Sequence, residues 1–317
     1  MTEAGKIAVV AVGGNALILS EDKASLPDQA RAAEMTVHHI VNMIENGWNV
    51  VLTHGSGPQV GNILRRSEIA AGEVATVPMD YADADIQGAV GYMFQRAFHN
   101  EFRHRKIEKQ AVTLVTQVRV DYDDPAMANP TKPIGPHLDE ATARARADEL
   151  GWVVKEDAGR GWRRAVPSPL PREIMEINQI RQLVKSGTMV IACGGGGIPV
   201  VQDAFGDLRG VEAVVDKDLA SSMLAREINA DLLLVSTGVE KVAVDFNTPR
   251  QRWLDRMTVS EAKRHMDDGQ FDPGSMGPKV RSVIDYIEAG GERGVITDPP
   301  NMDAAVRGEA GTQIVAG

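Results

Sequence analysis

The sequence contains one cysteine in 317 residues, and aromatic residues make up only 4% of it. Cys193 alone can form no intrachain disulfide and lacks a second thiolate for a metal site, which agrees with a reducing compartment. It ends an apolar run, where a cysteine behaves as a small buried hydrophobe. No apolar stretch approaches the 18 residues of a membrane-spanning helix, so no membrane role is expected. Basic excess is missing too: the formal charge of −10 argues against nucleic acid, whose binding needs a cationic face. Seven histidines are present, but none form His-Glu-x-x-His. His38, His39, His99 and His104 fall in polar helical stretches without matching ligands, so surface positions and no structural metal are expected. Met1-Thr2-Glu3-Ala4-Gly5-Lys6 leads directly into an expected strand, without the stretch that a signal peptide needs, and a cytoplasmic location is expected.

Two nucleotide signatures are absent as well. No Gly-x-x-x-x-Gly-Lys-Ser/Thr occurs, and Gly55-Ser56-Gly57 is followed by Gly61 rather than by a glycine at 60, so neither a P-loop nor a dinucleotide fingerprint is formed. Three strand-like runs nevertheless end in glycine loops: Ile7 to Val12 into Gly13-Gly14-Asn15-Ala16, Val50 to Thr53 into His54-Gly55-Ser56-Gly57-Pro58-Gln59, and Met189 to Cys193 into Gly194-Gly195-Gly196-Gly197. Backbone N–H groups of glycine can close around an oxyanion, and a following helix adds its positive end. Each loop could also be only a tight turn; three at the carboxyl ends of parallel strands point to a phosphate site.

At 43% hydrophobic and 25% charged residues the chain reads as an ordinary globular α/β protein. Strands are expected near 6–12, 49–53, 111–117, 188–193, 231–236, 241–245, 294–296 and 312–315, and helices over 27–46, 81–102, 172–186, 216–228 and 278–289. This alternation predicts a mainly parallel sheet covered on both faces, a three-layer αβα sandwich. Residues 119–171 interrupt it with Pro125, Pro130, Pro133, Pro136, Pro167, Pro169 and Pro171, a short charged helix over 139–150 and a hairpin over 152–166 around Gly159-Arg160-Gly161. The segment exceeds any ordinary loop and reads as a small protruding lid or as a bare insertion; Lys132, stiffened between prolines, favours the lid.

Lys132, Lys217 and Lys279 are the cations suited to a moving phosphoryl group. Asp216 and Asp218 flank Lys217 at an expected helix start. Both could be caps, and Asp218 could instead orient two lysines and keep them charged.

Taken in order, Gly13-Gly14-Asn15-Ala16, Thr53 to Gly61, Asn129 to Pro136, Val166-Pro167-Ser168-Pro169, Ala192 to Val200, Gly210 to Asp218 and Gly274 to Lys279 resemble the carbamate kinase family over nearly the whole chain. The resemblance implies the amino acid kinase fold, an acceptor-binding part over 1–210 with its lid at 119–171, and a nucleotide-binding part over 211–317. It implies reversible phosphoryl transfer between MgATP and carbamate, giving ADP and carbamoyl phosphate, often run toward ATP, in a homodimer whose interface lies near the helix at 81–105. Lys132, Lys217 and Lys279 would hold the phosphates and Asp218 would organise them. Gly13, Gly14, Asn15, Gly55, Ser56 and Gly57 would bind the acceptor. Gly195, Gly196, Asp216, Ser236, Thr237, Gly238, Val242 and Met276 would bind the nucleotide, with Mg²⁺ accompanying it.

Two departures stand out. Ser56 occupies a position that is usually asparagine, and Tyr81-Ala82-Asp83-Ala84-Asp85 replaces a small, neutral stretch. A carboxylate beside an anionic acceptor would repel it, so Asp83 and Asp85 are expected to be exposed or paired with Arg65 or Arg66. A related acid kinase with another small acceptor, and a non-catalytic nucleotide sensor, are the alternatives.

Overall fold

Alternation along the first strand, Ile7–Val12, divides the molecule into layers. Ala8, Val10 and Val12 enter one apolar core with Val37 and Ile40 of the helix Leu26–Glu45 and Phe94 and Phe98 of the helix Met79–Arg105. Val9 and Ala11 enter a second core with Ile180, Leu224, Val280, Val283 and Tyr286. These come from the helices Ile177–Lys185, Lys217–Glu227 and Met276–Glu288. Successive strand side chains point to opposite faces, so a strand apolar throughout must be covered on both. The computed structural model describes residues 5–17, 25–157 and 161–317. Met1 to Ala4, Gly159 and Arg160 lie outside that description, as does the side chain of Asn15.

The central sheet has eight strands, in the order Arg256–Thr258, Thr312–Val315, Arg293–Thr297, Leu232–Ser236, Ile7–Val12, Asn49–His54, Met189–Ile191 and Ala111–Thr113. The six from Arg293–Thr297 onward are parallel; Thr312–Val315 runs antiparallel to its neighbour at 293–297. Register aligns the carboxyl ends, with Val12 opposite both His54 and Ser236, and Ser236 opposite Thr297.

Beside this sheet lies a four-stranded one, ordered Leu208–Gly210, Ile198–Gln202, Gln117–Val120 and Pro171–Ile174. A three-stranded antiparallel sheet, Lys132–Leu138, Trp162–Val166 and Val153–Glu156, carries the helix Glu140–Leu150, whose N-cap Asp139 accepts from Thr142 N. The helix Gly57–Ala70 packs on it backbone to backbone. A Cβ on Gly61 would stand 2.1 Å from Gly135 Cα.

Two expected elements are corrected. The run 111–117 is two strands in two sheets, because the buried Gln87 takes over the backbone at the bend: Thr116 N donates to Gln87 Oε1 at 2.8 Å, and Gln87 Nε2 donates to Thr116 O at 3.0 Å. The helix expected over 172–186 begins only at Ile177. Pro171–Ile174 is a strand, with Arg172 and Glu173 exposed and Ile174 buried, and it pairs with Gln117–Val120. The helix Val259–Asp267 was not anticipated, although its capping box, Thr258 with Glu261, is written in the sequence.

The contact between Gly61 and Gly135 leaves no room for a methyl group. Gly61→Ala is expected to lower unfolding stability by about 1–3 kcal/mol, the usual cost of overpacking, whereas Gly72→Ala, with nothing within 4 Å of the added atom, should melt like the parent. Urea denaturation of the two variants checks this.

Candidate active site

Lys217 opens the helix Lys217–Glu227, and Asp216 is its N-cap: Asp216 Oδ1 accepts from Asp218 N at 2.8 Å. Capping is therefore real, but it uses only one oxygen of Asp216. The other receives the Lys132 ammonium, which arrives from the first residue of the lid strand. Asp218 bridges two cations, with Oδ1 on Lys217 Nζ and Oδ2 on Lys279 Nζ at 3.0 Å. The three lysines expected to act together thus converge, from three separate elements, on two carboxylates two residues apart.

Burial governs their charge states. Burial alone would raise both carboxyls; the Lys217 and Lys279 ammoniums outweigh it at Asp218, and the Lys132 ammonium outweighs it at Asp216, so both stay below the usual carboxylate range. Burial lowers Lys217, opposed by Asp218, whereas Lys279, for which burial is outweighed by Asp218, is raised. A hydroxyl relay fixes the Lys217 backbone to the sheet: Thr53 Oγ1 lies 2.6 Å from Ser221 Oγ, which donates to Lys217 O at 2.6 Å.

The glycine loops meet at the same place. Gly55 N donates to Val12 O at 2.8 Å, and a Cβ on Gly55 would stand 2.7 Å from Gly14 N and 3.2 Å from Lys217 Cδ. Only bare backbone allows that approach. Gly13 borders Ser236, and Gly57 faces Pro133 O of the lid strand; the backbone of Asn15 lies in the short turn Gly14–Leu17. Gly195 and Gly196, expected with the nucleotide, lie on the side of Lys217 that holds Ser56: a Cβ on Gly195 would stand 2.6 Å from Ser56 Oγ, and one on Gly196 would stand 2.2 Å from Val215 O. Ser236, Thr237, Gly238, Val242 and Met276 lie on the other side, around the carboxyl end of Leu232–Ser236 and the start of Met276–Glu288. There the buried hydroxyls of Ser236 and Thr297 have no protein partner among the described residues.

Asp83 overturns its expectation. It is 2% exposed, and neither carboxyl oxygen has a hydrogen-bond partner among the described residues. Burial raises it well above the usual carboxylate range, with Asp80 and Glu212 adding to the effect. Helix periodicity explains the difference, since Ala82, Asp83, Ile86 and Gln87 fall on the inward face of Met79–Arg105 and Asp85 on the outward one. Asp85 is exposed as expected, and Arg65 pairs with Glu68 rather than with either aspartate.

Two positioning residues escaped the sequence reading. Gln87 also donates to Gly194 O at 2.9 Å, pinning that loop. His54 is 1% exposed, with Nδ1 3.3 Å from Gly55 O and its ring against Gly194. Of the four histidines expected on the surface, His38, His99 and His104 are exposed and His39 is half-buried. Cys193 is buried, and burial pushes its thiol up, as suits a small hydrophobe.

A parallel sheet whose carboxyl ends carry glycine loops and carboxylate-held lysines defines a phosphoryl-transfer class, and the sequence pattern of the amino acid kinase family matches residues 6–298. The chain belongs to the amino acid kinase family. Among its relatives, the carbamate kinase of Pyrococcus horikoshii is 48% identical over 310 residues, covering 96% of this chain and 98% of that one. The solved structure of a carbamate kinase from Giardia lamblia bound to citric acid superposes with a TM-score of 0.94 at 39% identity, covering 99% of both chains. A second, of the Giardia lamblia enzyme bound to AMP-PNP, gives 0.90 at 40% identity, again covering 99% of both.

Burial lowers the His54 imidazole to about 4, so the folded state resists a proton that the unfolded chain accepts near pH 6.5. Stability is therefore full above that value and falls as pH drops toward 4. Between pH 8 and pH 5 the loss should be about 2 kcal/mol. Urea unfolding of the parent and of His54→Gln at both pH values isolates this term, since the other titrating groups are common to both; the variant should show a correspondingly shallower loss.

Proposed function

We propose that the chain is an ATP-dependent carbamate kinase, transferring the γ-phosphoryl group of MgATP to carbamate and, in reverse, making ATP from carbamoyl phosphate and ADP. The observation that carries this reading is the convergence of Lys132, Lys217 and Lys279 on Asp216 and Asp218 beside glycine loops that expose only backbone. An anionic carbamate oxygen forms a bond to the γ-phosphorus while the bond from that phosphorus to the bridging oxygen breaks, its electron pair leaving with ADP. No proton has to be removed, so no general base is required. Each ammonium has three N–H donors, and those not engaged by the aspartates face the charge that spreads over the transferring group.

In this reading Gly13, Gly14, Asn15, Gly55, Ser56 and Gly57 bind the acceptor within 1–210. Asp216, Ser236, Thr237, Gly238, Val242 and Met276 serve the nucleotide within 211–317, and Gly195 and Gly196 border both. Among the described residues no cluster of three metal-ligating side chains occurs, and both site aspartates already hold lysines. That fits a Mg²⁺ carried in on the nucleotide phosphates with its own waters, the usual habit of this ion. When bound, it neutralises phosphate charge.

Exposed Tyr81 and Tyr92 on Met79–Arg105 support a homodimer through that helix. No helix among the described residues is long and apolar enough to cross a membrane, and the lone buried Cys193 supports a cytoplasmic place. The buried Asp83 favours a second reading, a related acid kinase with a different small acceptor.

A coupled assay of ATP formation from carbamoyl phosphate and ADP separates the two readings: turnover supports carbamate kinase, and its absence with intact ADP binding supports the other. Lys217→Ala should lower kcat/KM on the order of 10²- to 10³-fold, as for loss of one oxyanion donor; unchanged turnover would remove Lys217 from its role.

Lys132 enters the site from the lid strand, so closure over a water-sensitive mixed anhydride should order residues 132–157 and 161–166. Backbone hydrogen exchange there is expected to slow when ADP and carbamoyl phosphate are added together. Equal exchange with and without ligands would leave the segment a static wall.

A further inference from the structure

Asp83 and Ser56 stand out as polar side chains with nothing to bind. Each is 2% exposed, and neither Ser56 Oγ nor either Asp83 oxygen has a hydrogen-bond partner among the described residues. They come from different elements, the loop after Asn49–His54 and the inner face of Met79–Arg105, yet meet at one point. A Cβ on Gly195 would stand 2.6 Å from Ser56 Oγ and 3.8 Å from Asp83 Oδ1, and Gly195 has φ +72°. The next residue back from Ser56, Gly55, lies against the Lys217 side chain. The two orphaned groups therefore belong to the acceptor end of the site.

A buried polar group without a partner is costly, and native proteins rarely leave one. Among the described residues no cation compensates Asp83: the charged groups that act on it are Asp80 on its own helix and Glu212, both acidic. Such a carboxyl is held as the neutral acid, which presents one O–H donor beside one C=O acceptor. That is the complement of a carbamoyl or primary amide group, whose oxygen accepts while its syn N–H donates. The second N–H of the amino group is left for a nearby acceptor, and Ser56 Oγ is one.

We propose that Asp83 and Ser56 form a specificity pocket for the –C(=O)NH₂ end of the acceptor, with the Asp83 carboxyl engaging its oxygen and one N–H and Ser56 Oγ accepting the other. This rests on the carbamate kinase reading and deepens it. The two positions at which the sequence departs from its family resemblance thereby become one device, in which a shorter side chain at 56 leaves space for a carboxyl at 83. An acetyl group has the same size but a methyl in place of the amino group, so it cannot satisfy either acceptor.

The test compares the KM for carbamoyl phosphate with the inhibition constant of acetyl phosphate, in the ATP-forming assay, for the parent, Asp83→Ala, Asp83→Asn and Ser56→Ala. AMP-PNP affinity by calorimetry serves as the check on folding. Asp83→Ala should raise the KM for carbamoyl phosphate on the order of tenfold while shifting the acetyl phosphate constant much less. Asp83→Asn, which keeps a donor beside an acceptor, should recover part of that loss. Ser56→Ala should show a smaller loss, again selective for the amino-bearing ligand, and decides the matter if Asp83→Ala does not fold. A parent enzyme that makes no ATP from carbamoyl phosphate would sink the underlying reading. An active parent whose variants shift both ligands alike, or neither, would overturn the pocket.

Discussion

The site depends on one buried carboxylate, that of Asp218. Its two oxygens hold Lys217 and Lys279, and without it two ammoniums would face each other in a poorly solvated space. Breaking such a buried group by removing one partner leaves an uncompensated charge, whereas the intact group contributes little net stability. Its purpose here is placement. Asp218 sits in the first turn of Lys217–Glu227, where the helix dipole favours an anion, and Asp216 caps that same turn while holding Lys132. One helix start thus fixes cations arriving from a lid strand and from a second helix start.

What makes this arrangement rigid is the sheet below it. The Thr53–Ser221–Lys217 relay ties the helix to the strand Asn49–His54, and that strand is buried on both faces by two independent apolar cores. The glycines complete the linkage in the opposite sense, by removing side chains. Gly14 against Gly55, and Gly196 against Val215, bring backbones to distances that no Cβ permits. Lys217 lies between two chemically different ends: backbone amides, Ser56 and Asp83 on one side, and the buried hydroxyls of Ser236 and Thr297 on the other.

Much of this was legible in the sequence because it rests on local periodicity. Apolar runs that end in glycine located the parallel strands and their carboxyl ends, and the family resemblance grouped three lysines separated by up to 147 positions. The misread elements share a different cause, namely contacts between segments distant in sequence. Gln87 bends the chain after Thr113 from another helix, and Pro171–Ile174 becomes a strand only because Gln117–Val120 lies beside it. Asp83 was misplaced by an argument from charge, that a carboxylate near an anionic acceptor must be exposed or paired. Its inward direction follows instead from helical phase, set by the apolar neighbours Ala82 and Ile86.

The charge balance of the site links these features. Three ammoniums against two carboxylates leave a single positive charge when Asp83 is neutral; an ionised Asp83 would cancel it, in a chain that is already acidic overall. A nucleotide triphosphate and an anionic acceptor together bring several negative charges into this space. In the proposed reaction one net positive charge would not balance them, and a divalent ion brought in on the phosphates would supply further positive charge. In that reading Lys132, Lys217 and Lys279 would add their charge at the transferring phosphoryl group. A neutral acid at Asp83 would keep the proposed acceptor end from opposing them.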